Sequence, residues 1–127
     1  MNQNSDFYKD PKWLNLREKI LQRDKYMDQY LNKFGKFKAA EIVHHIFPRE
    51  DFPEYAFSAW NLISVSKKTH NRFHNRNSDT LTKEGKELLI RTARKNNISV
   101  PYEYLKEKRN IKNDRYFYDP APSPFDS

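Results

Sequence analysis

The sequence predicts an α+β fold. At its centre stand a two-stranded antiparallel hairpin and a helix that follows it, with helices flanking this core at both ends. Three observations carry the prediction. Two short apolar, β-branched runs, AAEIVHHIF at 39–47 and LISV at 62–65, bracket a loop rich in proline and aromatics. Amphipathic segments stand before and after them. All four histidines of the 127 residues fall between positions 44 and 74, the stretch that those runs occupy.

The elements follow in order. PKWLNLREKILQRD, residues 11–24, reads as a helix. Pro11 suits a first turn, where a missing N–H costs nothing. Trp13, Leu16 and Ile20 share one face, which Leu14 and Leu21 widen. Residues 25–38 are aromatic and basic, with Gly35 as the break, and predict a turn or short hairpin. The 39–47 strand is stopped by Pro48. Residues 48–61 read as an ordered loop and 62–65 as the second strand. A helix over 66–76 opens with Ser66 as N-cap. A further helix spans 81–97, with Leu81, Leu88, Leu89 and Thr92 on one face, Gly85 on the same stripe for close packing, and Asn96–Asn97 at its end. Pro101 opens a last short helix to about Lys108. From Tyr116 onward, three prolines and no periodicity predict a tail or docking segment. No internal repeat is visible. The expected organisation is one domain over 1–98 and an extension over 99–127.

Composition narrows the function classes. Hydrophobic residues are 36% and charged residues 32%, enough for a small core, to which the 15% of aromatics contribute heavily. The absence of cysteine excludes disulfides and thiolate metal sites. No apolar run of about 18 residues exists to cross a membrane. MNQNSDFYKDPKW lacks the apolar core of a secretory signal, so a cytoplasmic protein is expected. The net charge is +7, and residues 64–95 hold nine basic against three acidic residues, +6 of that total. Such a field suits a phosphate backbone; a solvated basic surface is the alternative.

His70 and His74 stand at i and i+4 on the expected helix, close enough to chelate one cation. Alone, that spacing is usually incidental. His44 and His45 are neighbours on a strand, where successive side chains point to opposite faces, so an isolated pair predicts one buried and one exposed ring. Taken together, both pairs meet where the hairpin adjoins a basic helix. That arrangement suits a metal held against a phosphodiester, and the spacing leaves open which of His44 and His45 would act as a base.

AEIVHHIFPREDFPEYAFSAWNLISVSKKTHNRFH resembles the HNH endonuclease motif, the ββα-metal nuclease fold. The spacing of His44-His45, Asn61, His70 and His74 is similar to that of colicin-type nuclease domains, and VHHI, WNLISV and THNRFH are similar to small bacterial and phage members. The resemblance spans about residues 7–90. It implies that His44, His70 and His74 are metal ligands and that His45 is the general base. It implies that Asn61 orients His45 through hydrogen bonds near its backbone, or in some branches reaches the metal.

The implied activity is metal-dependent hydrolysis of DNA, nicking or cutting duplex with low sequence specificity. An imidazole with a pKa of about 6.5 can take the water proton at physiological pH. One divalent cation, Mg²⁺, Mn²⁺, Ni²⁺ or Zn²⁺, can neutralise the developing charge and the departing 3′ oxygen. Lys67, Lys68, Arg72 and Arg76 are placed to hold the phosphate backbone. By analogy alone, the resemblance also implies an association with phage genome-packaging proteins. The oligomeric state stays open. Two alternatives stand beside this reading: a catalytically silent nucleic-acid binder with the same fold, and a metal-stabilised structural domain, for which an all-histidine site would be unusual.

The sequence departs from many small relatives, which carry two CxxC pairs around a structural zinc. The equivalent positions fall near Asp28, Leu31, Ser66 and Thr69, so no structural zinc is expected. Tyr26, Tyr30, Phe34 and Phe37 are expected to fill that space. One local demand is sharper than the rest. If His44 and His45 face one cavity, the strand must break or bend at VHHI.

Overall fold

The computed structural model describes residues 3–75 and 80–106, with backbone alone for 3–5 and 106. Backbone contacts group the chain into two units, Met1–Arg72 and Phe73–Ser127. In the first unit, α1 (Gln3–Lys9) leads into α2 (Pro11–Arg23). Asp10 caps α2 by accepting from Lys12 N at 2.9 Å, and Pro11 takes the first turn. The buried face of α2 carries Trp13, Ile20 and Leu21, which join Ala40, Val43 and Leu62 in one apolar cluster, with Phe7 and Leu16 packed against it. Each such aliphatic or aromatic burial contributes about 1.5–3 kcal/mol, so this stripe is what docks α2 onto the hairpin.

The hairpin is antiparallel. Strand β1 (Ile42–His45) pairs with β2 (Leu62–Val65) in the register Ile42↔Val65 to His45↔Leu62. The loop between them holds two single 3₁₀ turns, Pro53–Tyr55 and Ala59–Asn61. Arg23 and Asp24 clamp the end of α2 to β2. The Arg23 guanidinium pairs with the Asp24 carboxylate at 2.8 Å and donates to the carbonyls of Ala59 and Leu62, while Asp24 accepts from Ser64 N.

The segment 25–38 forms a turn, as expected, but it also contains a one-turn helix, α3 (Gln29–Asn32), capped by Asp28. Lys25 and Tyr26 hold left-handed backbone at φ 55° and 56°. Side chains rarely adopt that conformation, and bonds from Asp28 N to Lys38 O and from Ala40 N to Tyr26 O secure it here. Helix α4 (Lys67–Phe73) opens as expected at Ser66, whose Oγ accepts from Thr69 N at 3.2 Å.

The space around Asp28, Leu31, Ser66 and Thr69 is not closed by the four rings as expected. Tyr26, Phe34 and Phe37 are exposed, and Tyr30 is half-buried, its ring against Phe34. Instead Asp28, Ser66 and Thr69 are buried together. Asp28 accepts from Leu31 N at 2.9 Å and Ser66 N at 2.8 Å, with a further bond from the Thr69 hydroxyl, whose oxygen in turn accepts from Ser66 Oγ. Burial pushes the Asp28 carboxyl up, but these hydrogen bonds outweigh it and hold the group below its ordinary value.

In the second unit, α5 (Lys83–Lys95) is capped by Thr82, which accepts from Gly85 N, and ends at Asn96. Asn97 takes the left-handed conformation that stops it. Gly85 is there for close approach: a Cβ would lie 2.6 Å from the Phe73 carbonyl oxygen. Phe73, Leu88 and Leu89 are buried. Helix α4 stops at Phe73 rather than running on to 76; His74 instead bridges to Leu81, and Thr82 N donates to Phe73 O. Helix α6 (Glu103–Lys106) follows Pro101. The expected tail from Tyr116 and the residue Arg76 lie outside the described residues.

Candidate functional site

His44 and His45 are the last two residues of β1, and both are buried, at 2% and 7% exposure. The chain bends at Ile46, within VHHI as expected, but only after both histidines. The ladder is regular through the His45↔Leu62 pair, and the strand then ends. The pleat therefore sends the two rings to different neighbours. His44 meets His70 of α4 edge to face at 5.3 Å between centroids. His45 stacks on Trp13 of α2 at 4.9 Å.

His44, His70 and His74 form a cluster whose ligand atoms all lie within 4.8 Å of one another. Two imidazole nitrogens bound to one ion at about 2.0–2.1 Å are no more than roughly 4.2 Å apart, so a small side-chain rotation brings the set to ligating distance. The donors fit a divalent transition ion, and three protein ligands leave further positions for water or substrate. Among the described residues this is the group of histidine and carboxylate side chains that could hold an ion.

His45 lies outside that cluster. Its Nε2 is 3.1 Å from the carbonyl oxygen of Ala56. A carbonyl only accepts, so Nε2 carries the hydrogen, and in the neutral ring the lone pair sits on Nδ1. Phe7 and Tyr8 of α1 flank the ring edge-on at 5.8 and 6.4 Å. Burial lowers the His45 pKa below the ordinary 6.5; the Ala56 bond opposes this and the nearby Arg49 charge reinforces it. Arg49 itself stacks over Phe7, its guanidinium carbon 4.2 Å from the ring centre.

Asn61 is fully buried at the foot of β2. Its Oδ1 accepts from Phe47 N at 2.7 Å, and its Nδ2 donates to the carbonyls of Phe47 and Tyr55 at 3.2 Å each. The side chain thus bonds the backbone two residues beyond His45 and one residue before Ala56. Lys67, Lys68 and Arg72 are exposed on α4, with the Arg72 guanidinium 5.9 Å from the Tyr30 ring.

The surroundings of His45 were not visible in the sequence. Trp13 reads there as a core position of a helix, and Phe7, Tyr8, Arg49 and Ala56 carry no periodic signal. Phe7 and Arg49 stand 42 positions apart, and no local pattern announces such a contact.

The antiparallel hairpin, the helix after it and the imidazole cluster define a ββα-metal fold. No family model matches the sequence, and no curated protein does. Among solved structures, the chain is similar to the HNH endonuclease of the deep-sea thermophilic bacteriophage GVE2, crystallised with a manganese ion. The two share 33% identity and a TM-score of 0.53, over 55% of this chain and 76% of the phage protein. The chain belongs to the HNH endonuclease family.

Proposed function

We propose that this chain is a metal-dependent endonuclease that hydrolyses DNA phosphodiester bonds, nicking or cutting duplex with low sequence specificity. Its nuclease domain would occupy residues 1–98, with 99–127 as an extension. The observation that supports this best is a division of labour on one strand end. Three imidazoles cluster with their ligand atoms within 4.8 Å of one another, while the adjacent His45 is held apart, with Nε2 donating to Ala56 and a lone pair left on Nδ1.

His44, His70 and His74 would hold the ion. When bound, a divalent cation such as Mn²⁺, Mg²⁺, Ni²⁺ or Zn²⁺ supplies charge neutralisation at the scissile phosphate and the departing 3′ oxygen. His45 takes the proton of the attacking water at Nδ1. Its lowered pKa keeps the ring neutral, and so able to accept, at physiological pH. Stacking on Trp13 fixes the plane of the ring, and Asn61 positions the backbone on either side of it. Lys67, Lys68 and Arg72, with Arg76, hold the phosphate backbone by charge. None of these contacts distinguishes one base from another.

The test is cleavage of supercoiled plasmid with each of the four metals, with and without EDTA. Wild type is expected to yield nicked and linear forms with metal and none with EDTA. His45→Ala is expected to lose roughly a hundredfold or more in rate. Plasmid left intact under every metal, with DNA binding retained, would replace this reading with that of a silent binder. Unimpaired cleavage by His45→Ala would remove His45 from its role.

A further inference from the structure

Residues 32–39, NKFGKFKA, are exposed at every position. Two large rings stand among them, Phe34 at 63% exposure and Phe37 at 74%. The backbone that presents them is ordered. Lys36 N donates to Leu31 O and Gly35 N to Asn32 O, with Gly35 at φ +76°, which is the hydrogen-bond pattern of a Schellman cap closing α3.

Lysines outnumber acids in residues 25–38, the segment that carries the rings. Lys25, Lys33, Lys36 and Lys38 fall in the segment, and its single acid, Asp28, is buried and engaged with Leu31, Ser66 and Thr69. The surface is also continuous with α4. The Tyr30 ring meets Phe34 at 5.6 Å, and Arg72, two residues from His70, lies 5.9 Å from the Tyr30 ring. Beside Phe37 lies a cavity of about 330 Å³, lined also by Lys25, Met27, Gln29, Asn32 and the Arg23–Asp24 ion pair.

Cations alternating with exposed rings match a polyanion that carries flat apolar groups, which is the chemistry of a nucleic-acid strand. In duplex the base faces are stacked and closed to a ring, so phenyl groups can be used only where bases are unpaired. We propose that the 25–38 loop binds unpaired nucleotides of the strand that runs from the cleavage site across Arg72 and Tyr30, with bases stacking on Phe34 and Phe37. This rests on the nuclease reading of α4. It makes the preferred substrate a DNA with a single-stranded flank beside the duplex.

Fluorescence anisotropy in EDTA tests it, using one labelled duplex with blunt ends and the same duplex with a single-stranded overhang. Wild type should bind the overhang form more tightly. Phe34→Ala/Phe37→Ala should lose about tenfold or more on the overhang form and little on the blunt one, while Phe34→Trp/Phe37→Trp should retain the preference. Both positions are surface ones, and circular dichroism checks that the fold persists. The inference is overturned if the alanine variant binds the overhang as wild type does, or if it loses equally on both DNAs. It is also overturned if its only change is in sedimentation or in pelleting with anionic vesicles, which would make the occupant a second copy or a membrane. Wild-type cleavage of the blunt duplex with Mn²⁺ reports separately on the nuclease reading. Overhang preference without any cleavage sinks that reading alone, and cleavage without overhang preference sinks only the loop proposal.

Discussion

Asn61 shows how much of the site a single side chain can organise. Its amide bonds three backbone groups, and its own carbonyl accepts from Ile46 N at 2.8 Å. One residue thereby ties the segment leaving His45 to the segment that presents the Ala56 carbonyl. Asn61→Ala would take the partner from the Phe47 N–H and from the Phe47 and Tyr55 carbonyls. Each lost partner costs about 1–3 kcal/mol, so the melting temperature should fall by about 10 °C or more. Cleavage should drop with it, because His45 loses its fixed partner, while metal affinity at His44, His70 and His74 should barely move. An unchanged melting curve, or metal affinity lost in parallel, would contradict the role. At this scale the sequence singled out His44, His70 and His74, which the fold brings within reach of one another. The same identities could not reveal that His45 is held by a carbonyl 11 positions away, because that contact depends on the path of an irregular loop.

At the scale of elements, legibility followed length and capping. The α2 helix, strand β2, the Ser66 cap and the tight packing at Gly85 all stand where local chemistry put them. Helices α1 and α3 were not foreseen, since seven and four residues give no apolar periodicity to read. The bend at VHHI was expected so that both rings could face one cavity; it comes only after His45, and the regular pleat sends the two rings to different neighbours. The packing at Asp28 was misjudged for a different reason. Rings were expected at a site that a buried carboxylate closes by hydrogen bonds between α3, β2 and α4. That choice has a pH signature. The folded pKa of Asp28 lies below its ordinary 3.8, so its stabilisation is complete above that value and is lost as pH falls through the folded value. Asp28→Asn should therefore be less stable than wild type at pH 6, by a margin that shrinks as pH is lowered from 5 toward 2. Melting curves across that range check it, and a gap independent of pH would show that the carboxylate charge is not what is used.

For the molecule as a whole, folding is expected not to depend on metal binding. Three imidazoles are the candidate ligands, and the hairpin is joined to α3 and α4 by the Asp28, Ser66 and Thr69 bonds. The apolar cluster on α2 likewise owes nothing to an ion. A metal that binds only the folded chain adds stability by mass action, about 2.7 kcal/mol at a hundred times its Kd, which for a chain of this size is a rise of about 10 °C in melting temperature. The chain stripped with EDTA should accordingly keep its far-ultraviolet dichroism and melt cooperatively. Added Mn²⁺, Ni²⁺ or Zn²⁺ should raise the midpoint, and His44→Ala or His74→Ala should abolish most of that rise while leaving the metal-free midpoint within a few degrees. A stripped chain that is unfolded would mean that an ion closes the fold after all. A full rise in either variant would mean that the ion sits elsewhere, and the assignment of His44, His70 and His74 would fall with it.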